Sequence, residues 1–262
     1  LQSLEVGIDP AHASFLHRFF EDETPGEASY GRQFRGASSE SGNLPMTKLL
    51  REYHRPEIFV EPAPHGLQLT ALRRISDSVT HVRMTNQVFP QAFAIPLSDE
   101  MTITQFHVPV DDYNNYWYAL FTSFGAPVDK ALMREQRLKL HELPDYRPRV
   151  GRDNQYGFDP REQSTQTYTG MGSDINVHDQ WACESQGPIQ DRTREHLGTT
   201  DKAIIAYRRM LLKAIELVEQ GGTPPMCLRA SEAAAVRGPV IVDAVGPGGS
   251  VDELRAFGSG ID

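Results

Sequence analysis

Segments in which apolar and polar residues alternate fill the middle of the chain. They occupy residues 58–61, 66–75, 80–89, 92–96, 101–110 and 116–124. Turn-forming sequences such as Pro62-Ala63-Pro64 separate them. Alternation with a period of two is typical of strands that bury one face. Because no helical pattern interrupts the series, the sequence predicts an antiparallel sheet.

A helix is predicted before this sheet. Asp9 can cap free backbone N–H groups and Pro10 fits the first helical position. The helix is therefore expected to begin there and to run to about Phe20. Residues 27–57 show no clear period and are expected to be mostly loop with short helical turns.

Two helices are predicted after the sheet. One begins at Asp179 and is expected to kink at Gly187-Pro188. The other spans residues 201–219, where apolar residues recur at helical spacing until Gly221-Gly222 ends it. Residues 140–170 are polar and are expected to form a long ordered loop.

These elements define an α+β domain with a curved antiparallel sheet and a long C-terminal helix. Residues 1–237 are expected to form that domain. Residues 238–262 are rich in glycine and are expected to form a loosely packed tail.

The composition narrows the class of protein. Hydrophobic residues make up 39% of the chain and charged residues 23%, which is ordinary for a globular protein. The net charge of -9 argues against nucleic acid and anionic membranes as partners, because both require a basic face. No apolar run approaches the roughly 20 residues of a membrane span. The two cysteines, Cys183 and Cys227, form no disulfide framework, so a reduced, cytoplasmic setting is expected.

The sharpest chemical signal is the run from Asp9 to His17, in which His12 and His17 lie five positions apart. Two imidazoles and a carboxylate are the protein ligands of non-haem Fe(II) oxygenases. Residues five apart lie roughly 140° apart around a regular α-helix. Both histidines could therefore reach one metal only if the helix widens, as a π-type turn does. On local evidence alone Asp9 could be no more than a helix cap.

The run Asp9-Pro10-Ala11-His12-Ala13-Ser14-Phe15-Leu16-His17 resembles the iron-binding motif of Rieske oxygenase α subunits. The likeness is greatest to the phthalate-dioxygenase-like group. Further stretches that resemble this group lie at residues 80–87, 106–112, 168–172 and 175–198. The resemblance covers about residues 1–230 and implies a helix-grip fold for a mononuclear-iron catalytic domain.

The resemblance also implies roles for individual residues. His12 and His17 match the iron imidazoles, and Asp179 matches the third iron ligand. Asp9 matches an aspartate that bridges an iron-ligand histidine to a cluster-ligand histidine of the neighbouring subunit. His178 is expected at the surface or behind the ligands, since adjacent residues on a helix point apart.

The implied cofactors are Fe(II) and a Rieske 2Fe-2S cluster, which receives electrons from NADH through an iron-sulfur flavoprotein reductase. Such a cluster needs Cys-x-His and Cys-x-x-His pairs, which neither Cys183 nor Cys227 can form. The cluster is therefore expected on a missing N-terminal domain. The N-terminus shows neither Met nor a signal-peptide pattern, so the numbering is expected to start inside a longer protein. A homotrimer or hexamer is the expected assembly.

The expected substrate is an aromatic carboxylate, with phthalate as the first choice. The expected reaction is O2-dependent cis-dihydroxylation. Arginine is the natural receptor for a carboxylate, and the candidates are Arg35, Arg73 and Arg74, although most arginines are simply solvated. The resemblance implies that His107 and Asn86 face the substrate, and the alternative for His107 is a half-buried histidine of the sheet. The rival functions are aryl-ether O-demethylation and non-enzymatic binding of an apolar ligand by a helix-grip protein.

Overall fold

A computed structural model describes residues 1–22, 44–98, 100–125, 127–236, 238–249 and 253 of the protein. An antiparallel sheet dominates the fold. Its strands, in spatial order, are β1 (Glu57–Ala63), β2 (Gly66–Ser76), β3 (Val79–Val88), β4 (Ala92–Pro96), β5 (Met101–Pro109) and β6 (Asn115–Ser123). Every predicted strand is present, with ends within two residues of the predicted ones. A separate ladder joins β7 (His141–Glu142) to β8 (Arg147–Pro148).

A further strand, β9 (Val242–Pro247), belongs to the same sheet. It pairs with residues 79–84 of β3, and β4 pairs with the remaining residues 86–88. The expectation of loose packing is wrong for this segment, in which Val242, Ala244 and Val245 are buried. Without β9, most of one edge of β3 would expose unpaired N–H and C=O groups.

The helices differ more from the predictions than the strands do. They are α1 (Gln2–Gly7), α2 (Ala13–Leu16), α3 (Met46–Glu52), α4 (Lys130–Leu140), α5 (Pro160–Thr165), α6 (Ile175–Glu184), α7 (Lys202–Glu219) and α8 (Ala230–Ala233). The expected loop at residues 140–170 thus contains the helix α5, and the 3-10 turn Arg152–Gly157 precedes it.

The continuous helix predicted from Asp9 to Phe20 is not present. Helical structure stops at Gly7, resumes for the four residues of α2, and then gives way to extended backbone. The N–H of Phe20 donates to the carbonyl of Gln166 at 2.9 Å, and the N–H of Tyr168 donates to the carbonyl of Arg18 at 2.8 Å. These long-range hydrogen bonds replace the helical ones that the local sequence favours.

The two later helices are present, with one shifted start. α6 begins at Ile175 rather than at Asp179, because the carboxylate of Asp174 accepts the N–H of Asn176 at 2.9 Å and caps the helix there. It ends at Glu184, before the expected kink. The long helix α7 has the predicted bounds to within one residue, so the predicted α+β class is confirmed. None of the described helices is both long and apolar enough to cross a bilayer.

The main core cluster lies between α1, α7 and one face of the sheet. Ile204 and Tyr207 of α7 cluster with Leu67 and Leu69 of β2 and with Phe93 of β4. Side chains alternate between the two faces along a strand, so the odd-numbered residues of β2 and β4 share this inner face. The candidate site lies on the same face.

An ion-pair network fixes α1 to α7. Arg208 of α7 donates from Nε to Glu5 Oε1 at 2.6 Å and from Nη2 to Glu5 Oε2 at 2.9 Å. Its Nη1 also donates to Glu195 at 2.5 Å. Glu5 is 7% exposed, and such a forked, charge-assisted contact fixes orientation as well as distance. Glu195 therefore lies in an ion-pair network with Arg208 and Arg192.

We expect that shortening a buried side chain of β9 destabilises the fold. Val242→Ala should lower the free energy of unfolding by about 1.5–3 kcal/mol, since Val242 is 5% exposed within a core cluster. Val240→Ala, two residues earlier and 41% exposed, is the matched control and should cost no more than about 0.5 kcal/mol. Urea denaturation measures both variants. Equal, small effects would contradict the packing of β9.

Candidate metal centre

The segment that carries the two histidines is a tight turn rather than a long helix. Gly7 allows α1 to approach the sheet, since a Cβ atom there would lie 2.0 Å from Cε1 of Phe93. After α1, the N–H of Ala11 donates to Oδ1 of Asp9 at 2.8 Å. His12 and His17 then flank the single turn of α2, and the backbone of His17 has already left the helical conformation. The expected π-type widening is therefore replaced by a helix that ends at both histidines.

Three ligand atoms converge at this turn. Nε2 of His12 lies 3.2 Å from Nε2 of His17. Oδ1 of Asp179, from α6, lies 3.6 Å from the first nitrogen and 3.2 Å from the second. The structure therefore brings together the three residues that the family resemblance assigns to iron, and such a group could hold one metal ion.

Hydrogen bonds on the far side of each ring define which nitrogen carries the proton. Nδ1 of His12 lies 2.5 Å from the carbonyl oxygen of Asp9, which can only accept, so this nitrogen is the donor. Nε2 of His178 lies 2.9 Å from the carbonyl of Gly172 and donates for the same reason. Nδ1 of His178 is then an acceptor, so Nδ1 of His17, 3.3 Å away, donates to it.

The consequence is an unsatisfied cluster of lone pairs. With both Nδ1 atoms protonated, the Nε2 atoms of His12 and His17 present lone pairs to each other and to Asp179. Oδ1 of Asp179 is buried and accepts no hydrogen bond among the described residues. A metal ion would satisfy all three atoms at once.

The electrostatics agree with this donor set. Burial lowers the pKa of His17 to about 3, so its imidazole is neutral near pH 7. Burial also lowers the pKa of His12. Burial raises the pKa of Asp179 to about 6, because desolvation of the charged form outweighs the opposing effects of His12, His178 and the side-chain hydrogen bond from Asn176. A bound cation would stabilise the ionised form of this carboxyl group. Two neutral imidazoles and a carboxylate are ligands that suit ferrous iron.

Contacts away from the site hold α6 and its Asp179 against α1. The amide nitrogen of Gln2 donates to the carbonyls of Cys183 and Gly187, each at 3.2 Å. Its amide oxygen accepts the N–H of Gln190 at 2.8 Å. One side chain of α1 thus anchors three backbone groups at the end of α6 and just beyond it.

Asp9 contacts an imidazole, but not through its carboxylate. Its main-chain carbonyl holds Nδ1 of His12, and its side chain caps the N–H of Ala11. Burial raises the pKa of this carboxyl group. The carboxylate therefore accepts a backbone N–H of the turn before α2 and does not cap that helix, whose N-cap residue is His12. The bridging role stays a prediction.

A small cavity adjoins the three ligand residues on the inner face of the sheet. Its apolar wall includes Phe93, Ile95, Leu97 and Ile103, and its polar lining includes Arg73, Arg83, Thr85 and Gln105. Arg73 is 1% exposed and donates to the carbonyls of Tyr53 at 3.0 Å and Pro10 at 3.3 Å. Its Nη1 atom is buried and has no hydrogen-bond partner among the described residues.

Arg83 is the cavity residue that the sequence reasoning missed. It lies on β3, and it donates to the carbonyl of Pro96 at 2.5 Å and to Asp243 of β9 at 3.4 Å. A signal was available, because the alternation within the predicted strand puts Arg83 on the same face as Thr85.

The other predicted substrate residues lie elsewhere. Arg74 points away from the inner face, with its side chain 50% exposed and 3.4 Å from Glu57. Asn86 is buried, but its amide contacts His65 at 3.0 Å and the carbonyl of Val240 at 2.6 Å. His107 lies on the sheet and is buried between Phe93 and Trp117. This agrees with the alternative of a sheet histidine, except that the side chain is buried rather than half-buried. Neither Asn86 nor His107 lines the cavity beside the ligands, and Arg35 lies outside the described residues.

Comparison with known proteins identifies the class to which this fold and site belong. The family described as LigXa C-terminal domain like matches residues 1–236. The chain belongs to this family, and its resemblance to the catalytic domain of phthalate-dioxygenase-like Rieske oxygenases is confirmed.

Individual relatives agree with this assignment. The phthalate 4,5-dioxygenase oxygenase subunit of Pseudomonas putida is 31% identical over 235 residues, which are 84% of this chain and 49% of that protein. The 3-chlorobenzoate-3,4-dioxygenase oxygenase subunit of Comamonas testosteroni is 26% identical, with 86% of this chain and 52% of the relative covered. The 5,5'-dehydrodivanillate O-demethylase oxygenase subunit of a Sphingobium species is 23% identical, with 99% and 52% covered. The chain thus spans about half the length of these relatives.

We expect that Asp179 weakens the metal-free fold near neutral pH. The pKa of Asp179 in the folded state, about 6, exceeds the value of 3.8 for a free carboxyl group. Between these two values the folded state binds more protons than the unfolded state, so the free energy of unfolding falls as the pH rises from the lower value to the higher one. Above it, Asp179→Asn should stabilise the metal-free protein by on the order of 3 kcal/mol, from the size of that shift.

Thermal unfolding with a chelator present measures this effect. The difference between Asp179→Asn and the parent should be large at pH 7.5 and small at pH 4, where the carboxyl is already protonated. Added Fe(II) should stabilise the parent more than the variant, because the amide is the poorer ligand. A variant that is less stable than the parent at pH 7.5 without metal would contradict the desolvated carboxylate.

Proposed function

We propose that this chain is the Fe(II)-binding catalytic domain of an oxygenase that cis-dihydroxylates an aromatic carboxylate such as phthalate. The observation that carries the proposal is the cavity beside His12, His17 and Asp179. It combines an apolar wall with two arginines, and one of them, Arg73, has a buried N–H group with no partner among the described residues.

The arginines suit a carboxylate because each offers N–H donors in a rigid fork. Arg73 and Arg83 come from neighbouring strands, and both line the cavity. A buried carboxylate is costly unless it is paired and hydrogen-bonded, and the two guanidinium groups can provide both interactions. The chain as a whole carries a net charge of -9, so an anionic substrate would be repelled without such a local positive patch. Burial, followed by repulsion from Arg83, lowers the pKa of Arg73 to about 10, which leaves it charged at pH 7.

The apolar wall suits the aromatic ring. Phe93, Ile95 and Ile103 offer a surface on which a ring can lie while its carboxylate is held by the arginines. Bound Fe(II) would supply the chemistry of O2 activation next to that ring. His12, His17 and Asp179 would hold the metal, and the cavity that they share with the arginines would hold the substrate against it.

The remaining parts of the proposed system lie beyond these residues. Electrons would come from NADH through an iron-sulfur flavoprotein reductase and a Rieske 2Fe-2S cluster on another domain, in a homotrimer or hexamer with Asp9 as the bridge between subunits. The relatives support such a system, since they are named oxygenase subunits and are about twice as long as this chain. Cys183 and Cys227 are free thiols, which supports a reducing, cytoplasmic location.

A second candidate function is aryl-ether O-demethylation. A relative named as an O-demethylase oxygenase subunit aligns with 99% of this chain, although at only 23% identity. A non-enzymatic binder of apolar ligands is disfavoured, because three converging acceptor atoms would destabilise a cavity that never holds a cation.

We expect that phthalate binds through Arg73 and Arg83. Replacing either by Ala should weaken phthalate binding by about 2–5 kcal/mol, as for other buried charged contacts, and should leave binding of the neutral dimethyl ester nearly unchanged. Arg73→Lys should recover little, since a lysine ammonium lacks the fork. Calorimetry on the Fe(II)-loaded protein, with thermal stability checked for each variant, measures these affinities.

Arg74→Ala is the matched control, because Arg74 is the exposed neighbour of Arg73 on the same strand. It should bind phthalate like the parent. If the parent binds ester and acid equally well, the arginine clamp does not exist and an apolar or methoxylated substrate is favoured. A loss confined to Arg74→Ala would place the substrate on the opposite face of the sheet.

The reaction type can be tested in a single turnover. Hydrogen peroxide contains the two oxygen atoms and electrons that a cis-dihydroxylation adds, so it can replace O2 and the reductase. With Fe(II)-loaded protein, phthalate should give a ring dihydrodiol by mass spectrometry, and His17→Ala should give none. Formaldehyde from a methoxybenzoate, without a dihydrodiol from phthalate, would favour the O-demethylase instead.

A further inference from the structure

We propose that His178 is a positioning residue for iron, which fixes the tautomer and the ring orientation of His17. The proposal rests on the proposed function, since it deepens the same metal centre. It does not make His178 a ligand: its two ring nitrogens are both used on contacts away from the three converging atoms.

The geometry indicates a hydrogen bond between the two rings rather than a face-to-face stack. Their Nδ1 atoms are 3.3 Å apart, their centres 5.5 Å apart, and their planes differ by only 26°. The rings therefore meet nearly edge to edge through these nitrogens. Both side chains are buried, with His178 at 0% exposure, so water does not compete for this contact.

A chain of contacts fixes the direction of that hydrogen bond. Gly172 has a positive φ of 77° and presents its carbonyl to Nε2 of His178 at 2.9 Å. The N–H of Gly172 is itself held by Glu162 at 2.8 Å. With its Nε2 proton committed to Gly172, His178 can only accept at Nδ1, and His17 must keep its lone pair on Nε2. A ligating histidine needs that lone pair, and its orientation usually depends on such a partner.

The arrangement also couples two of the ligands. His178 and Asp179 are consecutive residues of α6, whereas His17 ends α2. The same helix therefore supplies one ligand and orients another, so the position of α6 sets the distance between the two. The alternative is that His178 merely fills space beneath His17.

Two variants separate these explanations. In His178→Asn, the amide oxygen can accept near the position of Nδ1, whereas His178→Leu fills similar space without an acceptor. Val177→Ala, at another buried position of α6, controls for a general disturbance of the helix. Each variant is made in the full chain.

The first measurement is the tautomer of His17 in the metal-free protein, from long-range proton–nitrogen-15 NMR. The parent, His178→Asn and Val177→Ala should show protonated Nδ1 and unprotonated Nε2, and His178→Leu should lose this single form. The second is the Fe(II) dissociation constant by chelator competition. It should rise about 10–100-fold in His178→Leu, the usual effect of losing a partner of a metal ligand, and only a few-fold in the other two variants.

The proposal is overturned if His17 of the parent carries its proton on Nε2, or if His178→Leu and His178→Asn have the same affinity for Fe(II). A parent that binds no Fe(II) would sink the proposed function. The tautomer of His17, which is measured without metal, would still decide the role of His178.

Discussion

Three hydrogen-bond acceptor atoms face one another in a buried site, and this arrangement is the constraint on which the centre depends. Lone pairs of His12 and His17 face a carboxylate oxygen of Asp179 within 3.6 Å, and no described group donates a hydrogen bond to that oxygen. Such a cluster is costly in a low-dielectric interior unless a cation compensates it. Burial therefore has opposite effects on the two kinds of group: it keeps the imidazoles neutral and raises the pKa of the carboxyl group.

The fold holds this cluster in place from three sides. Gly7 lets α1 lie directly on Phe93 of the sheet, and the chain then turns so that both histidines flank α2. Gln2 holds the end of α6, and the pairing of residues 18–20 with residues 166–168 fixes the exit of the turn. Most of the constraint thus comes from contacts between residues far apart in sequence. The three acceptor atoms are thus held close together by the fold, which would reduce the ordering cost of binding a metal ion.

Local patterns predicted the sheet and the long helix well, because alternation and helical spacing report directly on which face is buried. The ligand set followed from a motif. The predictions that failed depend on contacts between residues far apart in the sequence. The helix after Asp9 was overridden by pairing with residues 166–168, and β9 was hidden by the glycines around it. Arg83 rather than Asn86 lines the cavity because α1 and α7 cover the odd-numbered face, which no local pattern reveals.

The class of protein and the candidate site are consistent with each other, since the relatives are named oxygenase subunits and the centre of two histidines and one carboxylate could hold a metal ion. The most direct test is X-ray absorption at the iron edge of the Fe(II)-loaded chain. It should show imidazole scattering from two histidines and an oxygen ligand, with bonds of about 2.0–2.2 Å. The signal of one imidazole should disappear in His12→Ala and in His17→Ala. Iron surrounded by water alone, or imidazole scattering unchanged in both variants, would contradict the centre described for this protein.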